Sequence, residues 1–421
     1  MLTKLQTLRR NISEEQWFMG SVLLVNAGNY LYNLILGRLL KPEQFADAAI
    51  LITFLLVLSF IAMTFQLVTA KFSVLFQDNT FKYFISKVNI YALYVGVALA
   101  LGIVIGATSL QNILNTSSRS MFVIFGIGVP FYFFMSINRG FYQGKKAFKK
   151  LSITYQLEMI SRLLITLGLL FIFNIDPSVI IALGILLSLG FGLMPFNTKM
   201  ISFKISKGFS MDASKKKLIR NFFILTAFYE LTQIIINNSD ILLVKHYFDA
   251  YKAGLYASLA LIGRVVYFIA WMFVMLLLPK VIELKKEGKP TKHILITYVM
   301  YILVIASIII LACVLCPKLV ILVLFGEQYI SMAPLLWKYA LATSLFAVSN
   351  IFAYFYLSLD QYIPVIISGI FGMLQIGLIV FFHKNLEEVV HMQIITMILL
   401  LVIQLIFFKL HSEKNINPKT N

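Results

Sequence analysis

LGRLLKPEQFADAAILITFLLVLSF, residues 36–60, opens on a polar break and closes on an apolar run, and the rest of the chain repeats that alternation. Gly37, Arg38, Lys41 and Pro42 end one apolar segment and start the next, as Gly, Pro and charge do at helix boundaries. No charged residue occurs from Ala48 to Ala70, a length sufficient to cross about 30 Å of hydrocarbon as a helix. Extended outward, the same reading predicts twelve spans. Six lie in the first half: Trp17–Gly37, Ala48–Ala70, Val88–Thr108, Ser120–Asn138, Leu151–Ile175 and Val179–Thr198. Six lie in the second: Leu218–Val244, Ala253–Pro279, Ile294–Cys316, Ala333–Leu359, Tyr362–Phe382 and Val389–Phe408.

Composition agrees with an all-α polytopic membrane protein. Of 421 residues 60% are hydrophobic and 13% charged, whereas soluble chains are about half apolar and about a quarter charged. The net charge of +18 does not indicate nucleic acid, because the cations sit between apolar runs and not along one face or arm. They are topology signals. Lys4, Arg9, Arg10, Lys71, Lys82, Lys87, Arg139, Lys145, Lys146, Lys149, Lys150, the Lys199–Arg220 cluster, the Lys280–Lys292 cluster, Lys409, Lys414 and Lys419 all fall on one side of the predicted membrane. The other side receives only Arg38, Lys41, Arg119, Lys245, Lys252, Lys318 and Lys384, so the positive-inside rule places both termini in the cytoplasm. The turn near Asp360, expected on the cytoplasmic side, carries no cation. The first apolar run is too long for a secretory signal and is read as the first helix.

Each second-half span begins roughly 200 residues after its first-half counterpart, which predicts a duplicated six-helix unit. The expected organisation is an N-terminal bundle over 1–200, a basic cytoplasmic linker over 201–217 and a C-terminal bundle over 218–421. The opening stretch is answered in the second half by VKHYFDAYKAGLYASLALIGRVVYF, Val244–Phe268.

These residues carry a family resemblance. The stretch from Leu36, NNSDILLVKHYFDAYKAGLYASLALIGR (Asn237–Arg264) and LFGEQYISMAPLLWKYAL (Leu324–Leu341) resemble bacterial polysaccharide-biosynthesis exporters. They are similar to Wzx-type oligosaccharide flippases within the multidrug, oligosaccharidyl-lipid and polysaccharide (MOP) exporter superfamily. The resemblance implies a MATE-like pair of parallel-repeat bundles in the bacterial inner membrane. It implies a polyprenyl-diphosphate-linked oligosaccharide as cargo for O-antigen or capsule assembly, with a cation-lined cavity as the path. A polysaccharide polymerase or ligase would then be a partner.

An ionised side chain at mid-membrane costs about 2.5–3.5 kcal/mol on insertion scales, so charges inside spans need a reason. Arg264, Arg162 and Lys338 are the candidate cargo-binding cations, Arg offering planar donors matched to phosphate. Glu230, Glu158 and Asp240 are candidate charge partners or ion-coupling acids. Glu158 and Arg162 share a helix face at i, i+4 and equally fit a self-contained structural pair. Arg264 has no partner of that local kind. Asn29 and Asn33 in the first span, and Asn237 and Asn238 in the seventh, are candidate sugar contacts, though interhelical hydrogen bonding also explains them.

Cys313 and Cys316 lie on an apolar span without further Cys or nearby His, and no metal or other cofactor is expected. Connecting segments of at most about 20 residues leave no room for a catalytic domain, and no Walker or dinucleotide motif occurs. An enzyme is therefore disfavoured. A cation-coupled MATE-type multidrug antiporter shares the expected fold and remains the alternative, with Glu230 as its acid.

Overall fold

The computed structural model describes residues 14–196 and 210–414, except 268, 271, 272, 274–276, 278–280, 282, 283, 285, 286 and 360. Lys4, Arg9, Arg10, the expected linker up to residue 209, Lys280, Lys285, Lys286, Asp360 and Lys419 lie outside the described residues. Among the described residues all regular elements are helical. They are α1 (Glu14–Leu39), α2 (Pro42–Leu75), α3 (Asp78–Ile105), α4 (Ala107–Ile113), α5 (Ser120–Gly144), α6 (Phe148–Ile172) and α7 (Pro177–Gly192). After them come α8 (Ala213–Tyr247), α9 (Ala250–Gly263), α10 (Lys292–Leu315), α11 (Pro317–Leu324), a 3-10 turn (Glu327–Met332), α12 (Ala333–Ser358), α13 (Ile363–Phe381) and α14 (Leu386–Lys414). Between α9 and α10, the described residues of 265–284 are helical.

Local chemistry sets these boundaries. Pro42 and Pro177 stand at first helical positions, where a missing N–H costs nothing. Asp176 caps α7 by accepting from Ser178 N at 2.9 Å, and Asp249 caps α9 by accepting from Lys252 N at 2.8 Å. Burial alone would raise the Asp249 carboxyl, but the Lys252 N–H and ammonium hold it below the ordinary aspartate value.

Nine helices among the described residues are long and apolar enough to cross a membrane. Three of the predicted spans fall outside that set for separate reasons. Asn26, Asn29 and Asn33 make α1 too polar. The chain turns after Gly192 and leaves α7 with 16 residues. The Ala253–Pro279 span is present as the 14-residue α9 and a partly described continuation.

Contacts divide the chain into two compact units. One comprises residues up to Leu36 together with Leu51–Leu231; the other comprises Gly37–Ile50 and Thr232 onward. The start of α2 thus packs among second-half helices. The reason is steric and electrostatic: Gly254 leaves no room for a Cβ against the Pro42 carbonyl, and Phe45 meets Phe325 and Tyr329 at 5.7 and 6.2 Å between ring centroids. Lys245 Nζ lies 2.8 Å from Asp47 Oδ1, both side chains almost wholly buried.

In the first unit α5 is the helix around which the others close. Its small residues let α3 approach at Gly126 and α7 at Gly128, while Gly140 and Gly144 admit the α2 backbone at Gln66 and Ala70. In the second unit α12 is the buried axis. Ala347, Ile351, Phe352 and Phe355 pack against Leu295, Ile302 and Ala306 of α10 and against Val266, Ala270, Leu277 and Val281.

Gly140→Ala places a methyl against the Gln66 carbonyl and should destabilise the first unit by about 1–3 kcal/mol despite the better helix propensity of Ala. Gly168→Ala, where nothing lies within 4 Å, should not. The thermal midpoints of the two purified variants check this.

Candidate functional site

In the second unit, four helices contribute to a network around one buried acid. Asp240, near the end of α8, uses both carboxylate oxygens. Oδ1 accepts from Arg264 Nη2 at 2.9 Å, and Oδ2 accepts from Tyr339 OH at 2.7 Å and Tyr256 OH at 3.0 Å. Gln393 of α14 donates to the Tyr256 hydroxyl at 2.9 Å. Arg264 stands immediately after α9, where Thr343 of α12 donates to the Gly263 carbonyl at 2.7 Å and fixes that helix end. Asn238 accepts from Arg264 Nη1 at 3.5 Å.

This network borders a small, partly open cleft lined by Asn237, Asp240, Arg264, Tyr339, Thr343, Gln375 and Gln393 with Ile236, Ala342, Phe346 and Met397. Polar and apolar groups alternate on α8, α12 and α14, and α13 contributes Gln375. Gln375 is held by the Ile236 carbonyl at 3.2 Å and Ser239 Oγ at 3.1 Å, so its amide is fixed in orientation. A preorganised cation with directed hydroxyl and amide groups suits an anionic, hydroxyl-rich ligand.

The first unit holds a second charged cluster. Glu158 of α6 pairs through Oε2 with Arg139 Nη2 of α5 at 2.7 Å, and through Oε1 with Arg162 Nη2. Arg139 also donates from Nε to Thr154 Oγ1 at 3.0 Å, and its guanidinium carbon lies 3.9 Å from the Tyr155 ring centroid. Arg162 donates from Nε to Ser188 Oγ at 3.4 Å.

The remaining candidates are placed elsewhere. Lys338, in the first turns of α12, lies 2.5 Å from Glu387 Oε1 and 3.2 Å from His391 Nε2, and does not line the cleft. Glu230 is half-buried on α8, with no ion pair among the described residues. Asn33 donates to the Asn29 carbonyl and Asn237 to the Gln233 carbonyl, each at 2.8 Å within its own helix. Of the four asparagines, Asn237 lines the cleft and Asn238 touches Arg264.

Two residues escape the sequence reading altogether. A span ending at Asn138 leaves Arg139 among loop cations, but α5 continues to Gly144 and buries it to 4% exposure. A span ending at Val244 does the same to Lys245, yet α8 runs to Tyr247 and Lys245 is 1% exposed. Arg264, expected to lack a local partner, has Asp240 from another helix. Helical spacing reveals pairs only within one helix, which is why these partners were not foreseen.

The family described as "Polysaccharide biosynthesis protein" matches residues 35–334. No curated protein sequence matches the chain. Among solved structures, the lipid II flippase MurJ in an inward closed conformation has a TM-score of 0.73 at 14% identity, covering 93% of this chain and 87% of that one. An inward-facing multidrug resistance MATE family transporter of the MOP superfamily has 0.67 at 14%, covering 92% and 96%. A MOP superfamily transporter from Pyrococcus furiosus, described as having a binding pocket of reverse polarity, has 0.54 at 14%, covering 94% and 92%. At such identity the likeness is one of fold.

Asp240→Ala strands a buried guanidinium and two tyrosine hydroxyls, and should cost about 3–5 kcal/mol. Adding Arg264→Met should restore a large part of the loss, since the cost lies in the unpaired charge. Thermal midpoints of the two single variants and the double variant measure the coupling.

Proposed function

The chain belongs to the polysaccharide biosynthesis protein family, and on that premise we propose that it is a flippase. It carries a polyprenyl-diphosphate-linked oligosaccharide across the bacterial inner membrane for assembly of a surface polysaccharide such as O-antigen or capsule. Twelve membrane-crossing helices, as two six-helix parallel repeats with both termini cytoplasmic, alternate access to the cargo while its lipid tail stays in the bilayer. A polymerase or ligase then consumes the delivered glycolipid. The activity is translocation, and no covalent step is assigned to the protein.

The observation that carries this reading is Arg264, a permanently charged group held in the wall of the cleft by Asp240 and within reach of polar side chains suited to sugar hydroxyls. Arg prefers bidentate phosphate contacts, and Asp240 keeps its charge compensated when no cargo is present. Arg162 and Lys338 are assigned to the anionic path as supplementary cations. Asn29, Asn33, Asn237 and Asn238 are assigned to the sugar. Glu230, Glu158 and Asp240 hold charge balance during the cycle.

A cation-coupled drug antiporter would rest on Glu230. Against it, among the described residues the buried bases Arg139, Arg162, Lys245 and Arg264 outnumber the acids Glu158, Asp47 and Asp240 that pair with them, which favours anionic cargo.

Arg264→Ala should abolish surface polysaccharide export per inserted molecule, even where the stranded Asp240 lowers the inserted level. Arg264→Lys should retain partial export if charge alone suffices, and should resemble the Ala variant if the planar fork is required. Normal export by a well-expressed Arg264→Ala protein would refute the assignment.

A further inference from the structure

Two guanidinium groups share one carboxylate in the first unit, so the buried cluster Arg139, Glu158 and Arg162 carries one uncompensated positive charge. Side-chain exposures are 5%, 13% and 9% respectively. A pair buried this deeply is held together chiefly because separating it would strand a charge, and an odd cation adds to that cost. Such a cluster is poised to accept an anion.

The geometry shows how an anion would fit. Each Glu158 oxygen takes one Nη2, so the carboxylate bridges two arginines, as two oxygens of a diphosphate can. Arg139 is fixed independently of Glu158: Thr154 receives its Nε through Oγ1 and its Nη2 through the carbonyl, both at 3.0 Å, and Tyr155 lies beneath its plane. Ser188 of α7 similarly holds Arg162. Both guanidinium groups would therefore stay in place if the carboxylate left, which a purely structural ion pair does not require. Of the three side chains Glu158 is the most exposed, at 13%.

Resting on the flippase reading above, we infer that Glu158 is an internal stand-in for the cargo's diphosphate, which displaces it from Arg139 and Arg162 as Glu158 takes up one proton from water. No covalent bond of the cargo changes. On release the carboxyl returns its proton and closes on both arginines again. The titratable and charged groups facing Glu158 are Arg139 and Tyr132 from α5 and Arg162 and Tyr155 from α6; α7 faces it with the neutral Ser188 and Gly192, and α2 reaches Tyr155 with the neutral Gln66. Among these groups Glu158 is the carboxyl, and the exchanged proton is assigned to it. Binding that takes up a proton weakens as pH rises, by about tenfold per pH unit when uptake is complete.

The test is calorimetric titration of the purified full-length protein with farnesyl diphosphate, at several pH values and in two buffers of different ionisation enthalpy. The wild type should take up one more proton per ligand than Glu158→Gln, a difference in which the ligand's own ionisation cancels. Glu158→Gln should bind about tenfold or more tightly at high pH, its affinity keeping only the pH dependence of the ligand's own ionisation. Glu158→Asp, which keeps an acid, should retain the uptake, and Glu158→Thr, which like Gln cannot take up a proton, carries the test if the Gln variant fails to fold. Equal proton uptake in wild type and Glu158→Gln would overturn the stand-in while leaving the flippase reading intact. Failure of the wild type to bind farnesyl diphosphate at any pH would overturn both.

Discussion

A charge taken into an apolar helical bundle has to be met there by an opposite charge, and the described ion-pair chemistry of this protein is organised by that constraint. Asp47 with Lys245, Asp240 with Arg264 and Glu158 with Arg139 are buried and join different helices, while Glu158 with Arg162 closes within α6. Breaking any of them by removing one partner leaves a stranded ion, whereas making them adds little net stability. Their value is positional. They fix which helix faces which, in a setting where apolar side chains discriminate poorly because lipid is as apolar as they are.

Close packing supplies what the charges do not. Small residues on α5 bring α2, α3 and α7 near enough for backbone contact, and α12 fills the second unit with Ala, Ile and Phe. The charged clusters lie on these same helices or on their immediate neighbours. Arg139 is on α5 beside Gly140, and Tyr339 and Thr343 are on α12. The charged groups are thus mounted on tightly packed elements, which holds a guanidinium in a defined orientation.

Much of this was legible in the sequence, because a bilayer enforces simple rules. Apolar length and Gly, Pro and Asp punctuation located the helices, and the motifs around Leu36 and Asn237 identified the family. The signal weakened where a helix breaks its own rule: α1 carries three asparagines, and α7 is short. The site was less legible. Arg264, Glu158, Arg162 and Asp240, which form buried ion pairs, stood out because charge within an apolar span does. Arg139 and Lys245 did not, because a charge at the edge of a span looks the same whether it faces water or turns inward. Their partners come from other helices, and no local periodicity encodes that.

The central claim, that the chain itself moves an anionic glycolipid, is tested most directly by reconstitution. Purified protein in proteoliposomes, given a fluorescent polyprenyl-diphosphate oligosaccharide and, in parallel, a cationic dye, should make the glycolipid accessible on the opposite leaflet while leaving the dye where it was. Dye movement under an ion gradient with an immobile glycolipid would contradict the account and move attention from Arg264 to Glu230.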